Sequence, residues 1–416
     1  MTVIGLDDTD SRERGMCTTY AASLLAARLG AERTLLVRLN PAIEYKTRGN
    51  AALAIHTDAA PEEALDAARE IVAECAETDD PRTNPGIVVS SGSPDDVPEA
   101  VAAHARAALR EHLAVDETRA LAEASGFICA AWGTEQGLVG ALAAVGAWRA
   151  FDEWTYETIA YREAGEWGTD REVEYDSVFE AAEAAYPEVW DTVDTVTGTA
   201  VCVPRTPCPV LHGIRGDDPA ATKQVSEAIE SEAATHRQTF LTNQGTDAHL
   251  NDGEIGSLDD GKGYRVAGTV STPPETREGG HVFFEIEDGE TLRCAAFEPT
   301  GRFRNRVRAL RVGDDILACG EVSDGTLKLE KFAVRDLNRT ELRPPVCPDC
   351  DRTMKSAGRN QGYRCRECKT SAPEKEEIEV ERHLEIGWYE VPPEARRHVA
   401  KPLIRGGFDA PTHPAR

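Results

Sequence analysis

Two constellations in this 416-residue chain combine residue types and spacings that can do chemistry. The first is Cys347-Pro-Asp-Cys350, followed after fourteen residues by Cys365-Arg-Glu-Cys368. Four thiolates in two tight pairs close a tetrahedron around Zn²⁺. Such a site keeps no open position, so its role is structural. Redox or unpaired cysteines are the alternative. The second is Asp7-Asp8-Thr9-Asp10, directly after the apolar run Thr2–Leu6. Carboxylates crowded at a strand end repel one another unless a cation neutralises them, and hard oxygen donors suit Mg²⁺.

The neighbourhood of the aspartates extends that chemistry. Gly15–Thr19, with Gly15, Thr18 and Thr19, offers backbone N–H groups and hydroxyls at a helix N-terminus, a setting that favours phosphate. Lys46-Thr47-Arg48-Gly49-Asn50 is a polar loop whose Lys46 and Arg48 can pair with the same phosphates. This is the inventory for phosphoryl or nucleotidyl transfer, where catalysis is mostly positioning and electrostatics. There is no Walker A sequence. The simpler alternative is that Asp10 or Thr18 only caps a helix. A third stretch, Thr242-Asn243-Gln244-Gly245-Thr246-Asp247-Ala248-His249, is dense in hydrogen-bonding groups, as is His212-Gly213-Ile214-Arg215-Gly216 upstream. Each either lines a site or shapes a loop.

The elements that must position these groups follow from periodicity. Strands are expected at Thr2–Leu6, Thr34–Leu39, Ala51–His56 and Ile87–Ser90, and helices at Tyr20–Leu29, Pro61–Glu77 and Val97–His112. Alternation of this kind is α/β or α+β. From about Gly133 the pattern changes. Leu138–Trp148 is small, apolar and helical, and a helix near Ser177–Tyr186 is followed by strand-like Gly198–Val203. A helix over Ala220–Thr235 completes what reads as a split βαβ sandwich. Tyr264–Leu337 reads as five strands with the helical Arg302–Leu310 after the third, the pattern of an OB barrel. After Pro373 a charged run leads into a tail whose end is expected to be mobile.

Composition sets the solvent. The formal charge is −27, with 9 Lys against 37 Arg, and 41% of residues are apolar. An acidic, lysine-poor surface suits concentrated salt, where the screening length falls to about 3 Å at 1 M. The charge therefore describes a halophilic cytoplasm more than a ligand. Against it, Pro299–Thr370 carries a net +6, the expected footprint of a polyanion. Candidate contacts there are Arg302, Arg304, Arg306 and Arg308 on the barrel helix, and Arg352, Lys355, Arg359, Arg364, Arg366 and Lys369 around the cysteines. Of the 11 cysteines, seven lie outside the two pairs and are scattered, which does not suggest a disulfide framework. Apolar runs fall short of the ~20 residues that span a bilayer, and Met1–Asp10 has no basic segment of a signal peptide. A cytoplasmic protein is expected, with no membrane and no inferred protein partner.

Taken together, GLDDTDSRERGMCTTY (5–20), RLNPAIEYKTRGNAA (38–52), TNPGIV (83–88), TYETIAYR (155–162), HGIRG (212–216) and TNQGTDAH (242–249) closely resemble the archaeal isoleucine-tRNA 2-agmatinylcytidine synthetases. The barrel and cysteine segments extend the likeness to about residue 372. One departure is Gly133-Thr-Glu-Gln-Gly137, where the family pattern calls for a more basic, glycine-rich loop. The resemblance implies a multidomain α+β protein with a kinase-like α/β domain over 1–135, a ferredoxin-like domain over 136–255, an OB-fold β-barrel over 256–340, a zinc ribbon over 341–372 and a C-terminal extension over 373–416. It implies ATP-dependent attachment of agmatine to the 2-carbon of the wobble cytidine of the isoleucine tRNA with anticodon CAU, so that the tRNA reads AUA. ATP ends as AMP plus phosphates. The cofactors implied are ATP, Mg²⁺ and structural Zn²⁺. Asp7, Asp8 and Asp10 would serve Mg²⁺ and phosphoryl transfer, and Thr18 would be phosphorylated. Lys46, Thr47, Arg48, Gly49 and Asn50 would hold nucleotide or target base, and Asn243, Gln244 and Asp247 would help close the agmatine or nucleotide site. Two other readings remain: a non-enzymatic single-strand nucleic-acid binder, and a small-molecule kinase.

Overall fold

The computed structural model describes residues 1–43, 46, 49–397 and 400–416. Among these, strands β1 (Thr2–Asp7), β2 (Arg33–Arg38), β3 (Ala51–Thr57), β4 (Gly86–Ser91), β5 (Ile128–Ala131), β6 (Thr155–Arg162), β7 (Val189–Trp190), β8 (Val210–Gly216) and β9 (Ala234–Thr242) form one sheet. Its order is β5-β4-β1-β3-β2-β9-β6-β8-β7, antiparallel throughout except between β2 and β9. The sheet runs across residue 135 without a break.

Residue parity along the strands divides the core. Ile4, Leu6, Leu36, Leu53, Ile55, Ile87 and Val89 face helices α1 (Thr18–Leu29) and α2 (Pro61–Cys75). Val3, Leu35, Val37, Ala52, Ala54 and Val88 face α3 (Glu99–Ala108), α4 (Val115–Ala124) and α5 (Gly137–Ala150). The last of these is buried nearly all round, which its alanine and glycine content permits. It lies unusually close to the sheet: a Cβ on Gly5 would sit 1.9 Å from the Ala141 carbonyl oxygen, and one on Gly86 2.2 Å from Gly137. Small residues on both surfaces thus fix where the helix begins. It packs on β1, β3 and β4.

One helix expectation and one strand expectation change. The one expected over Ala220–Thr235 ends at Ala228, as α7 (Pro219–Ala228), because residues 234–242 pair with β6 and β2 as a strand. Phe240 supplies that strand's buried apolar anchor. Gly198–Val203 contributes only the short pair Thr199–Ala200 with Val193–Asp194.

The second body is a closed five-stranded barrel of β10 (Gly263–Val270), β11 (Val282–Asp288), β12 (Glu290–Ala296), β13 (Asp315–Ser323) and β14 (Thr326–Asp336). Pairing runs β10-β11-β12-β14-β13 and back to β10, and helix α8 (Phe303–Arg308) follows the third strand. A small three-stranded ribbon carries the paired cysteines. The C-terminal stretch expected to be mobile is ordered instead. Trp388, Tyr389 and Leu403 are buried against the barrel, Arg396 lies 2.7 Å from Asp191, and the Arg416 carbonyl accepts from Arg302 and Thr195. No helix among the described residues is long and apolar enough to cross a membrane.

The two halves of the large sheet are joined by a buried ion cluster. Arg38 on β2 and Arg215 on β8 approach Glu157 on β6 to 3.2 and 3.3 Å. Burial alone would push the Glu157 carboxyl up, but Arg215 and Arg38 together hold it below the usual range. Removing its charge leaves two guanidiniums facing each other without compensation. Glu157→Gln should therefore cost about 3–5 kcal/mol, whereas Lys223→Ala, which breaks an exposed helical pair with Glu227, should cost no more than about 1 kcal/mol. Denaturant midpoints of the two variants check this; equal shifts would contradict it.

Candidate active site

Asp7 is the last residue of β1 and shares the parity of Val3 and Gly5, so its carboxylate points towards α5. There it meets Gly140: a Cβ at that position would lie 1.9 Å from Asp7 Oδ2. Only glycine leaves room for the carboxylate against the first turn of the helix. The next residue, Asp8, has φ +59°, which turns the chain and swings the second carboxylate aside. Its N–H donates to Asp7 Oδ1 at 2.7 Å, and its own Oδ2 accepts from the Asn84 N–H at 2.8 Å.

Asn84 holds more than Asp8. Its side-chain Oδ1 accepts from the Thr134 N–H at 2.8 Å, and its carbonyl accepts from the Gly137 N–H at 3.0 Å. One residue of the TNPG turn thus fixes the carboxylate loop and the start of α5 relative to each other. This gives the Gly133–Gly137 segment a structural role that needs no basic side chain. Gly133, at φ +60°, places its Cα so close to Asn84 Oδ1 that a Cβ would sit 2.2 Å from that oxygen.

The cleft that results is lined by Asp7, Asp8, Asp10, Lys46, Gly49, Asn50, Glu111, Gln136, Gly137 and Gly140, among others. Burial, then repulsion from Asp8, raises the Asp7 carboxyl well above its usual range. Burial is also the main cause at Asp8, which is pushed up to about 7. A divalent cation beside these hard oxygen donors would offset that repulsion, although among the described residues only the ribbon cysteines are gathered closely enough to form a ready ligand cage. Opposite them, the N-terminus of α5 brings the positive end of a helix dipole to the same cleft, with its first N–H groups, those of Gly137, Leu138 and Val139, donating to the Asn84, Glu135 and Gln136 carbonyls. The Lys46 ammonium donates to the Ile43 and Pro41 carbonyl oxygens.

Six of the residues singled out in the sequence therefore meet on one cleft: Asp7, Asp8, Asp10, Lys46, Gly49 and Asn50. Thr47 and Arg48 lie outside the described residues. Gly15, Thr18 and Thr19 are not among the cleft-lining residues. Thr18 is buried, and its Oγ1 accepts from the Thr9 N–H and hydroxyl at 3.3 and 3.2 Å. Asn243, Gln244 and Asp247 also lie elsewhere. Asn243 clasps the Arg38 backbone by both its amide atoms, Gln244 accepts from Arg38 Nε, and Asp247 pairs with Lys331 Nζ at 2.8 Å and with the Lys401 N–H. That loop joins the sheet, the barrel and the C-terminal segment. The contributions of Asn84, Gln136, Gly137 and Gly140 had only faint signals in sequence, namely TNPG and the glycine spacing of α5.

At the ribbon, Cys347, Cys350, Cys365 and Cys368 bring four sulfur atoms within 4.8 Å of one another. Thr370 Oγ1, 3.2 Å from Cys368 Sγ, draws that thiol down to about 6, whereas Cys350, beside Cys368, is pushed up to about 12. This is a four-thiolate cage for Zn²⁺. Around it Lys355, Arg359, Arg364 and Arg366 are exposed, and Arg352 pairs with Glu367. The barrel arginines are engaged within the protein: Arg302 with Asp194, Arg304 with Gly280 and Glu298, Arg308 with Thr276 and Asn305, and Arg306 stacked 5.5 Å from the Tyr389 ring centre.

Comparison with known proteins places this architecture. Residues 3–60, 135–249 and 344–384 match family models described as the TiaS TCKD domain, the TiaS FLD domain and the TiaS C-terminal zinc ribbon domain. The 2-agmatinylcytidine synthetase TiaS of Haloquadratum walsbyi, which acts on the isoleucine-2 tRNA, is 51% identical, with 100% of each chain covered. A solved complex of TiaS with the isoleucine-2 tRNA and ATP superposes with a TM-score of 0.90 at 40% identity, covering 100% of this chain and 99% of that one. A complex of TiaS with the same tRNA, AMPCPP and agmatine gives 0.87 at 38% identity, with the same coverage.

Two outcomes test the geometry. Gly140→Ala should displace the Asp7 carboxylate and lower turnover by roughly 10²-fold, the scale of a 1 Å misplacement, while the melting temperature falls only as far as about 1–3 kcal/mol of overpacking requires. An alanine variant of full activity would contradict the placement. Metal analysis should find one zinc per chain, and Cys350→Ser should lose it and weaken tRNA binding more than ATP binding; equal losses would argue against a separate RNA-docking ribbon.

Proposed function

The chain belongs to the TiaS family, the 2-agmatinylcytidine synthetases of the isoleucine-2 tRNA, and from that membership together with the carboxylate cleft we infer that it is an ATP-dependent tRNA-modifying ligase. It attaches agmatine to the 2-carbon of the wobble cytidine of the isoleucine tRNA with anticodon CAU, so that the modified tRNA reads AUA. The single observation that carries the chemistry is the convergence of Asp7, Asp8 and Asp10 with the N-terminus of α5 on one cleft.

The 2-oxygen of cytosine is a poor leaving group. Transfer of a phosphoryl group from ATP to that oxygen makes it displaceable. The primary amine of agmatine then attacks the 2-carbon, the carbon–oxygen bond breaks, phosphate departs and the amine gives up a proton. That transfer leaves ADP, and passage of a second phosphoryl group to water takes the nucleotide to AMP, so ATP ends as AMP and two phosphates. Asp7, Asp8 and Asp10 would hold Mg²⁺, which when bound offsets charge on the phosphates. The α5 N-terminus and Lys46 would receive phosphate oxygens, and Gly49 and Asn50 would lie against nucleotide or base. Asn50 also supports the loop by donating to the Asn40 carbonyl at 2.8 Å. Phosphorylation of Thr18 requires that its Oγ1 first leave the Thr9 hydroxyl. The wobble base must leave its stack to enter the cleft.

The domain reading follows the same source. The 1-2-3-5-4-1 barrel with a helix after its third strand supports an OB fold, and the α/β sandwich around β1–β5 supports the kinase-like assignment. The strands β6, β8 and β9 with α6 (Tyr175–Ala184) and α7 support the ferredoxin-like one. The acidic, lysine-poor composition and the tRNA substrate support a cytoplasmic location in concentrated salt.

Mass spectrometry of the isoleucine tRNA transcript after incubation with enzyme, Mg²⁺, ATP and agmatine should show agmatine added at the wobble cytidine, with AMP formed only when tRNA is present. ATP consumption without tRNA would indicate a small-molecule kinase. Binding of tRNA with neither AMP nor modified cytidine would indicate a non-enzymatic binder.

A further inference from the structure

The barrel carries a second feature, remote from the carboxylate cleft. On β11 the side chains alternate, so Val282, Phe284 and Ile286 are buried while Phe283 and Glu285 face outwards. Phe283 is half-buried, and two guanidiniums lie over its ring: Arg293 of β12 at 4.4 Å from the ring centre and Arg277 at 4.8 Å. The Phe297 ring meets it edge-on at 6.3 Å. Phe283, Arg277 and Arg293, with Pro273, Pro274 and Glu275, line a groove of about 440 Å³.

Its position in the barrel is specific. Phe283 is on the second strand and Arg293 on the third, while Arg277 belongs to the connection between the first and second strands. In an OB fold that face and that connection take up oligonucleotides. Arg277 has Glu275 as its ion-pair neighbour at 3.7 Å. Arg293 has no carboxylate within ion-pair distance among the described residues, although Glu285 stands across the ladder from it. The four arginines of α8 and its N-cap, by contrast, are held by internal partners. A half-buried ring with two guanidiniums beside it makes a stacking platform, since every nucleobase offers a π-face to aromatic and arginine planes alike. Stacking also survives the concentrated salt for which this surface is built, whereas phosphate contacts weaken steeply there.

We propose that Phe283, with Arg277 and Arg293, is a docking platform for an unpaired nucleotide of the tRNA substrate, set on the barrel and separate from the site that modifies the wobble base. This rests on the tRNA-modifying reading above. The platform adds affinity for tRNA and does not touch the reacting atoms.

Steady-state agmatine incorporation by the full, zinc-loaded chain into isoleucine tRNA transcript tests it. Phe283→Ala should raise the KM for tRNA by about 5- to 150-fold, the range expected for loss of one stacked base, with kcat and the KM values for ATP and agmatine held. The rise should persist in molar KCl. Phe283→Trp should keep the parent KM, and its fluorescence should be quenched when tRNA binds. If Phe283→Ala does not fold, Phe283→Leu, which keeps the apolar volume and removes the ring, carries the same expectation. An unchanged tRNA KM in the ring-less variant, or an unquenched tryptophan, would overturn the platform while leaving the enzyme reading intact. Failure of the unsubstituted enzyme to modify tRNA would instead overturn that reading.

Discussion

Crowding of like charge at the end of β1 is the constraint around which the catalytic half is arranged. Asp7, Asp8 and Asp10 occupy one short turn, and burial sharpens their repulsion to the point where Asp7 and Asp8 resist ionisation. An isolated turn would relieve this by splaying into water. Here it cannot, because Asp7 is enclosed by the glycine face of α5 and Asp8 is tied to the Asn84 backbone. The carboxylates are kept in a geometry that is unfavourable on its own, and on the function proposed above a divalent cation and phosphates would make it favourable. Electrostatic preorganisation of this kind requires that the protein, and not the ligand, hold the charges together.

The rest of the chain fixes where that cleft lies relative to the barrel and the ribbon. One sheet extends from the cleft through β2 and β9 to β6 and β8, with Glu157 compensating arginines from both sides. The Asn243–His249 loop holds Arg38 at one end and Lys331 of the barrel at the other. The C-terminal segment closes the set, with Arg405 bonded to Asp217 and Arg396 between Asp191 and Glu390. The barrel is thus held in a fixed position relative to the sheet that carries the cleft.

Much of this was readable in the residues themselves. Short apolar runs such as Thr2–Leu6 and Ala51–His56 mark strands with two buried faces, and the cysteine spacing marks a zinc cage because few other chemistries need four thiolates so placed. What escaped was long-range. Nothing local shows that Asn84 reaches both Asp8 and Thr134, or that Gly140 must lack a side chain because of Asp7. The Asn243–Asp247 stretch has the composition of a binding loop, yet its polar atoms satisfy Arg38, Lys331 and Lys401. The basic island divides in a similar way: Arg302, Arg304 and Arg308 are engaged by carboxylates, carbonyls and hydroxyls within the protein, some of them far away in sequence, while the ribbon's cations stay exposed. The tail after Pro373 looked mobile because its buried anchors, Trp388, Tyr389 and Leu403, are spread among charges and prolines.

Calorimetric titration of the full chain with AMPCPP, with and without Mg²⁺ and with the Asp8→Asn variant in parallel, shows whether the aspartates gather cation and nucleotide. Binding by the unsubstituted chain should depend on the divalent cation and be lost, or weakened at least about 100-fold (about 2.7 kcal/mol), in the variant. Nucleotide that binds equally well without Mg²⁺ and to Asp8→Asn would show that the aspartates gather neither cation nor phosphate.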